Sequence, residues 1–272
     1  MEDNSYKQIH IGIFDSGVGG LSVWKEILKL MPYARFSYVS DGAYCPYGPR
    51  PATEVIDRAR AITRFLISIG SDIIVVACNT ATAAAIDILR KEFDIPFVGM
   101  EPAVKPAILN SKSGVVGVLA TKGTFGGRLY NNTLHKYALG VEVLEQTGDG
   151  LVELIERGEH EGNAVNILLR KYIDPMVKAR ADHIVLGCTH YPFLMREIEK
   201  IVGEKVVIVD PAPAVAKRLI ELIQAKEKSA HLNEDTFCDI DFYSTASVEV
   251  LKKLARSILP GITDGQFFVV NI

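Results

Sequence analysis

An α/β fold with mainly parallel sheets, arranged as two similar lobes, is what this sequence predicts. Three observations carry the expectation: short Val- and Ile-rich runs alternate with amphipathic stretches, several runs end in glycine-rich or polar turns, and part of the pattern recurs about 110 residues later. Strand-sized apolar runs separated by helical patterns are the mark of parallel strands joined by crossover helices.

The first run, Ile9 to Phe14, leads into a helix whose residues Leu21, Trp24, Ile27, Leu28 and Met31 fall at helical spacing. Phe36 to Val39 makes the second strand, and Val55, Ile56, Ala59, Ile62, Phe65 and Leu66 mark the helix after it. Strands follow over Asp72 to Ala77 and Pro96 to Gly99. The alternation resumes at Val115 to Leu119, Val141 to Leu144, Ile184 to Leu186 and Val206 to Val209, and closes with a helix around Val248 to Ile258 and a strand over Phe267 to Val270.

Three matches in the same order suggest internal duplication. Ser71 to Thr80 (SDIIVVACNT) lies over Ala181 to His190 (ADHIVLGCTH), which places Cys78 and Cys188 110 residues apart. Ile11 to Ser16 resembles Val116 to Thr121 at a separation of 105, and Pro102-Ala103-Val104 recurs as Pro213-Ala214-Val215 at 111. A length of 272 residues admits two lobes of that size.

Composition narrows the class. With 48% hydrophobic and 23% charged residues the chain has an ordinary globular make-up. Thirty Lys and Arg against 33 Asp and Glu leave a net charge of −3, so no basic surplus exists to neutralise phosphates, and nucleic acid is not an expected partner. The longest aliphatic runs are strand-sized, far short of the ~20 residues a membrane span needs. The polar start MEDNSYKQIH reads as a short disordered tail rather than a signal peptide. Four cysteines without a C-x-x-C pair are too sparse for a disulfide scaffold and suit a reducing cytoplasm.

Cys78 and Cys188 each stand directly after a strand and before a helix, at the end of an α/β unit where ligands gather. Amides at a helix N-terminus favour a thiolate and would lower the thiol pKa from its free value of ~8.5. Cys45 and Cys238 lack that context and read as small buried hydrophobes. Cys188-x-His190 offers two metal ligands, but no second ligand pair at zinc spacing accompanies it, so no metal is expected. Two quasi-equivalent thiols instead suit inversion of a stereocentre, which needs an acid and a base on opposite faces of one carbon. A hydrolase with one nucleophilic cysteine would leave the second unexplained.

The surrounding loops supply partners. Asp15-Ser16-Gly17-Val18-Gly19-Gly20 follows the first strand but is neither a dinucleotide-binding nor a P-loop fingerprint. Its glycines allow close backbone approach to a small ligand, while Asp15 and Ser16 either serve that ligand or a thiol, or cap the helix. The loop from Asp41 to Arg50 is dense in turn formers; it is either a rigid connection or a pocket wall bearing Tyr47 and Gly48. Asn79, Thr80 and Thr189 sit at expected helix starts, where they either cap or bind a carboxylate. Glu153 lies on an apolar helical face, solvated at its edge or held beside a site, and periodicity does not decide which. His190 stands out, whereas His10, His135, His160, His183 and His231 read as ordinary surface or core residues.

Asp15-Ser16-Gly17-x-Gly19-Gly20-Leu21, Asp41 through Pro46-Tyr47-Gly48, Cys78-Asn79-Thr80-Ala81 and Cys188-Thr189-His190-Tyr191-Pro192 together resemble the glutamate racemases of bacterial cell-wall synthesis. The resemblance implies cofactor-independent, two-base interconversion of L- and D-glutamate. It implies two pseudo-symmetric three-layer lobes about an active-site cleft, the first comprising residues 1–100 and 213–272 and the second 101–212. It also implies a cytoplasmic enzyme, a homodimer as its assembly, and no nucleic-acid or membrane partner. By position, Cys78 and Cys188 are the catalytic acid/bases, Asp15 assists the first, and His190 and Glu153 assist the second. Substrate contacts would come from Asp15, Ser16, Tyr47, Gly48, Asn79, Thr80, Thr121, Thr189 and His190. Cys45, the Gly48-Pro49-Arg50-Pro51 continuation and Phe193 depart from the family pattern.

Overall fold

The computed structural model describes residues 8–226 and 238–272; residues 1–7 of the polar N-terminal stretch and His231 lie outside the described residues, while His10, at the end of that stretch, already belongs to the first strand. Ten strands are found among those residues: β1 His10–Asp15, β2 Arg35–Ser40, β3 Ile73–Val76, β4 Phe97–Gly99, β5 Val115–Ala120, β6 Glu142–Thr147, β7 His183–Gly187, β8 Val207–Val209, β9 Asp239–Ser244 and β10 Phe267–Val269. They form a six-stranded sheet, ordered β10-β9-β2-β1-β3-β4, and a four-stranded sheet, ordered β6-β5-β7-β8. Every pairing in both sheets is parallel.

The pattern β2-β1-β3-β4 in the first sheet is repeated by β6-β5-β7-β8 in the second. In each, the first strand in sequence is flanked by the second on one side and the third on the other. The chain therefore reverses its direction of winding between β1 and β3, and again between β5 and β7. Such switch points leave a crevice at the carboxyl ends of the strands. Asp15 and Cys78 stand at the first, Thr121 and Cys188 at the second, in accord with the repeats at β1/β5 and β3/β7.

Strand burial follows from fully covered sheets: β1 and β3 are buried at every position, which is why they read as unbroken apolar runs. The helix Leu21–Leu30 turns Leu21, Trp24 and Ile27 inward, and Trp24 meets Phe242 and Phe36 edge-on at 5.4 and 6.5 Å between ring centres. On the helix Ala52–Ser68 the buried face is Val55, Ala59, Ile62 and Leu66, with Ile56 and Phe65 at its half-buried margins. The helix Ala212–Lys226 packs on Leu21–Leu30, and β9 and β10 extend the first sheet beyond β2, so the chain's last segment returns to the sheet where it began. No described helix is long and apolar enough to cross a membrane.

Two strands differ from expectation. β9 has only Ile240 and Phe242 as deeply buried apolar residues, alternating with Asp239 and Asp241, so it offers no apolar run to read. β6 runs on to Thr147 through Glu145 and Gln146, because as an edge strand it is nowhere fully buried and tolerates polar residues.

Beside the first sheet, the buried Asp41 carboxylate accepts hydrogen bonds from Tyr47, from Thr245 Oγ1 at 2.9 Å, and from Arg58 in a fork at 2.8 and 2.9 Å. Arg58 also donates to the Ile272 carbonyl at 2.6 Å, which ties the C-terminus to the loop carrying Tyr47. Removing one partner of a buried pair leaves the other charge uncompensated. Arg58→Ala is therefore expected to destabilise the fold by about 3–5 kcal/mol, read as a fall in the urea unfolding midpoint.

Candidate active site between the sheets

Cys78 follows β3 and caps the helix Asn79–Glu92, with its sulfur 3.5 Å from the Ala81 amide and 3.9 Å from Ser16 Oγ. Cys188 follows β7, its sulfur 3.8 Å from Nδ1 of His190. Both thiols are buried and line one cavity with Ser16, Tyr47, Asn79, Thr80 and Thr189. Gly48, Thr121 and His190 complete the set, so apart from Asp15 and Glu153 the predicted site residues meet around a single space.

Asp15, fully buried at the end of β1, stands behind that wall. Its carboxylate accepts from the Gly17 amide at 2.9 Å and from the Thr189 hydroxyl at 2.9 Å, so it joins the turns of the two sheets. The Ser22 hydroxyl adds a second tie, to the Thr189 carbonyl at 2.9 Å. Thr80 and Thr121 make a third across the cavity, 2.8 Å apart, and Gly48 lies against Thr121. Asn79 is different: both polar atoms of its buried side chain lack a hydrogen-bond partner among the described residues. An unpaired buried amide is costly and marks a place for an external polar group.

Glu153 does not reach His190. It is exposed and lines an adjoining cavity of about 260 Å³ with Thr147, Asp149 and Tyr191. The carboxylate that meets the histidine is Glu156, 2.6 Å from Nε2 and also accepting from the Val18 amide at 2.7 Å. Both carboxylates lie on the helix Leu151–Glu156, and the inward turn of its last residue selects Glu156. The two cavities share Pro46, Gly48, Thr121 and Val152 as a common wall, so the larger opens beside the smaller.

Electrostatics depart from the expected helix effect at Cys78. Burial pushes this thiol well above its ordinary value and the nearby Asp15 charge pushes it further; the Ala81 amide opposes both without prevailing. Asp15 is itself raised, by burial first, against the pull of His190, Gly17 and Thr189. Burial works against a charged His190, yet its hydrogen bonds to Cys188 and Glu156 hold its pKa well above the usual 6.5. Burial likewise raises Glu156, but the bonds from His190 and Val18 outweigh it and the carboxyl ends below its usual 4.5.

These shifts make the His190–Glu156 pair stabilising over a defined window. The raised histidine contributes below its unfolded value of about 6.5 and loses its effect as pH rises through the higher folded value; the lowered carboxyl contributes above about 4.5 and loses its effect as pH falls through its folded value. Glu156→Gln removes the negative partner, so His190 is expected to deprotonate at lower pH than in the parent, read from imidazole nitrogen shifts in an NMR titration. Gly19 must remain without a side chain, because a Cβ there would stand 2.3 Å from His190 Nδ1 and 2.7 Å from Thr189 Oγ1. Gly19→Ala is expected to lower kcat by about 10²-fold through displacement of these groups, measured beside urea unfolding to separate turnover from stability.

The geometry has counterparts in known proteins. The model of the Asp/Glu/Hydantoin racemase family matches residues 30–219. A glutamate racemase of Roseiflexus sp. (strain RS-1) is 46% identical over 234 residues, covering 86% of this chain and 85% of the relative. Glutamate racemase from Francisella tularensis, solved in complex with D-glutamate, superposes with a TM-score of 0.80 at 28% identity, covering 97% of this chain and 98% of that one. The Escherichia coli glutamate racemase, solved with L-glutamate and the activator UDP-MurNAc-Ala, gives a TM-score of 0.82 at 29% identity over 97% of this chain and 98% of that one. The racemase family model spans most of the chain and the relatives span nearly all of it: the chain belongs to the Asp/Glu/Hydantoin racemase family.

Proposed function

We propose that this racemase interconverts L- and D-glutamate by a two-base mechanism in which Cys78 and Cys188 face opposite sides of the α-carbon. The observation that carries the reading is the convergence of the two thiols, from equivalent positions in two equivalent sheets, on one cavity. Its substrate comes from the relatives, one solved with each enantiomer of the same acid. One thiolate removes the α-proton and the opposite thiol returns a proton to the other face. In the reverse direction the roles exchange.

Each thiol has its own support. His190, paired with Glu156, is a proton partner for Cys188, while Asp15 lies near Cys78 as a carboxylate with raised proton affinity. The amide of Asn79 and the hydroxyls of Ser16 and Thr80 surround the same space and suit the substrate's carboxylates, with Thr189 beside them. Aimed, water-excluded donors stabilise the charge that develops as the α-proton leaves, a task the chain must meet with its own groups if no cofactor assists.

The space between the thiols measures only about 10 Å³, room for about one water. Glutamate enters, on this reading, when two lobes, 1–100 with 213–272 and 101–212, move apart; the cavity beside Glu153 forms the approach. The near-balanced charge, the absence of a membrane-length helix among the described residues and the free cysteines support a cytoplasmic enzyme without nucleic-acid partners, supplying D-glutamate for peptidoglycan. A homodimer, the assembly implied by the motifs, belongs to the same reading.

Incubation of each glutamate enantiomer in heavy water tests the mechanism. The newly formed enantiomer is expected to carry deuterium at the α-carbon. Cys78→Ser and Cys188→Ser should each lose at least about 10²–10⁴-fold in racemisation, the range for a general acid or base. Full activity in either variant would overturn the two-base assignment.

A further inference from the structure

The proposed reaction uses two thiols and leaves a third beside the site without a role. Cys45, from the loop between β2 and the helix Ala52–Ser68, brings its sulfur next to His190 and Glu156. Its Sγ, a Glu156 carboxylate oxygen and a ring nitrogen of His190 all lie within 4.8 Å of one another. Cys45 and Glu156 are half-buried and His190 is buried. The three come from separate segments, one beside the first sheet and two beside the second.

We propose that Cys45, Glu156 and His190 form an inhibitory binding site for a thiophilic divalent cation, of which zinc is the representative. One sulfur, one imidazole and one carboxylate are the ligand types zinc prefers, and they disfavour the hard cations magnesium and calcium, which take oxygen alone. Zinc bonds of 2.0–2.3 Å imply ligand separations of roughly 3.4–3.6 Å in a tetrahedron, so side-chain movements of about 1 Å, opening the His190–Glu156 contact and drawing in the Cys45 sulfur, would fit the cluster to an ion. Gly17 leaves the cluster open on its flank: a Cβ there would stand 1.9 Å from Glu156 Oε1 and 2.9 Å from Cys45 Sγ. Three protein ligands leave a fourth position for water.

Nε2 is the nitrogen that meets Glu156, so the cation takes the place of the proton between them. Coordination releases that proton and the Cys45 thiol proton to solvent, and the ring becomes a neutral ligand. The ring is then fixed on the cation through Nε2 and loses the Glu156 contact that holds it beside Cys188, so it no longer moves with that thiol during turnover. This consequence for turnover rests on the acid/base roles proposed above; the binding does not.

The test uses the reduced, full-length, chelator-stripped protein with zinc chloride in competition against a chromogenic chelator, and cobalt chloride as a spectroscopic probe. Wild type is expected to take up one equivalent of zinc, to show a thiolate-to-cobalt charge-transfer band in the near ultraviolet, and to lose racemase activity as zinc fills the site. Loss of partners behind a metal ligand already costs about 10–100-fold in affinity, so Cys45→Ser and Cys45→Ala should each weaken binding by at least about tenfold. Both variants should lose the cobalt band, and zinc concentrations that silence wild type should leave the activity of each variant at the level it shows without metal. Absence of zinc uptake by wild type overturns the proposal. Retention of the cobalt band in both variants also overturns it, since the metal would then sit on Cys78 or Cys188. Chelator competition and the cobalt spectrum need no turnover, so a failure here is distinguishable from a failure of the racemase reading.

Discussion

The buried carboxylate of Asp15 is the constraint on which the site depends. A charge removed from water demands compensation, and two hydrogen bonds supply it from opposite directions, one from Gly17 in its own turn and one from Thr189 in the turn that carries Cys188. Because Thr189 lies between Cys188 and His190, satisfying Asp15 also places the second thiol and its histidine. The Val18 amide repeats the device with Glu156. Each sheet thus holds the functional turn of the other through hydrogen bonds between buried or half-buried groups.

The duplicated winding explains why two such turns meet. Each sheet reverses its winding beside its first strand, and the crevice this opens lies at the carboxyl ends of β1 and β3 in one sheet and of β5 and β7 in the other. Two copies of one strand-end architecture thus bring two thiols to one cavity. The neighbours of the two thiols nevertheless differ, a carboxylate near Cys78 and an imidazole with its own carboxylate beside Cys188, because the turns differ where the strands match: Ala-Cys-Asn-Thr against Gly-Cys-Thr-His.

At Cys78, competition between two physical effects is decided by depth. The helix N-terminus offers the Ala81 amide to a thiolate at 3.5 Å. Full burial and the nearby Asp15 charge act in the other direction and prevail, so the thiol's pKa lies above its ordinary value. Position at a helix start was legible in the chain; the solvent exposure that sets the balance was not.

The sequence by itself determined the alternating fold, the strands that carry unbroken apolar runs, the repeat that makes the sheets equivalent and the pair of cysteines at their ends, because each is written in local order and periodicity. Tertiary structure decided which carboxylate serves His190. Glu153 and Glu156 are one helical turn apart on the same element, and only the packing of that helix against the glycine loop turns Glu156 inward. It decided the fate of Cys45 as well, which local sequence marks as an ordinary small hydrophobe and the fold sets beside a histidine 145 residues away. Apolar periodicity records which face an element buries, whereas the identity of a polar partner across a cleft depends on how two elements distant in the chain are brought to face each other.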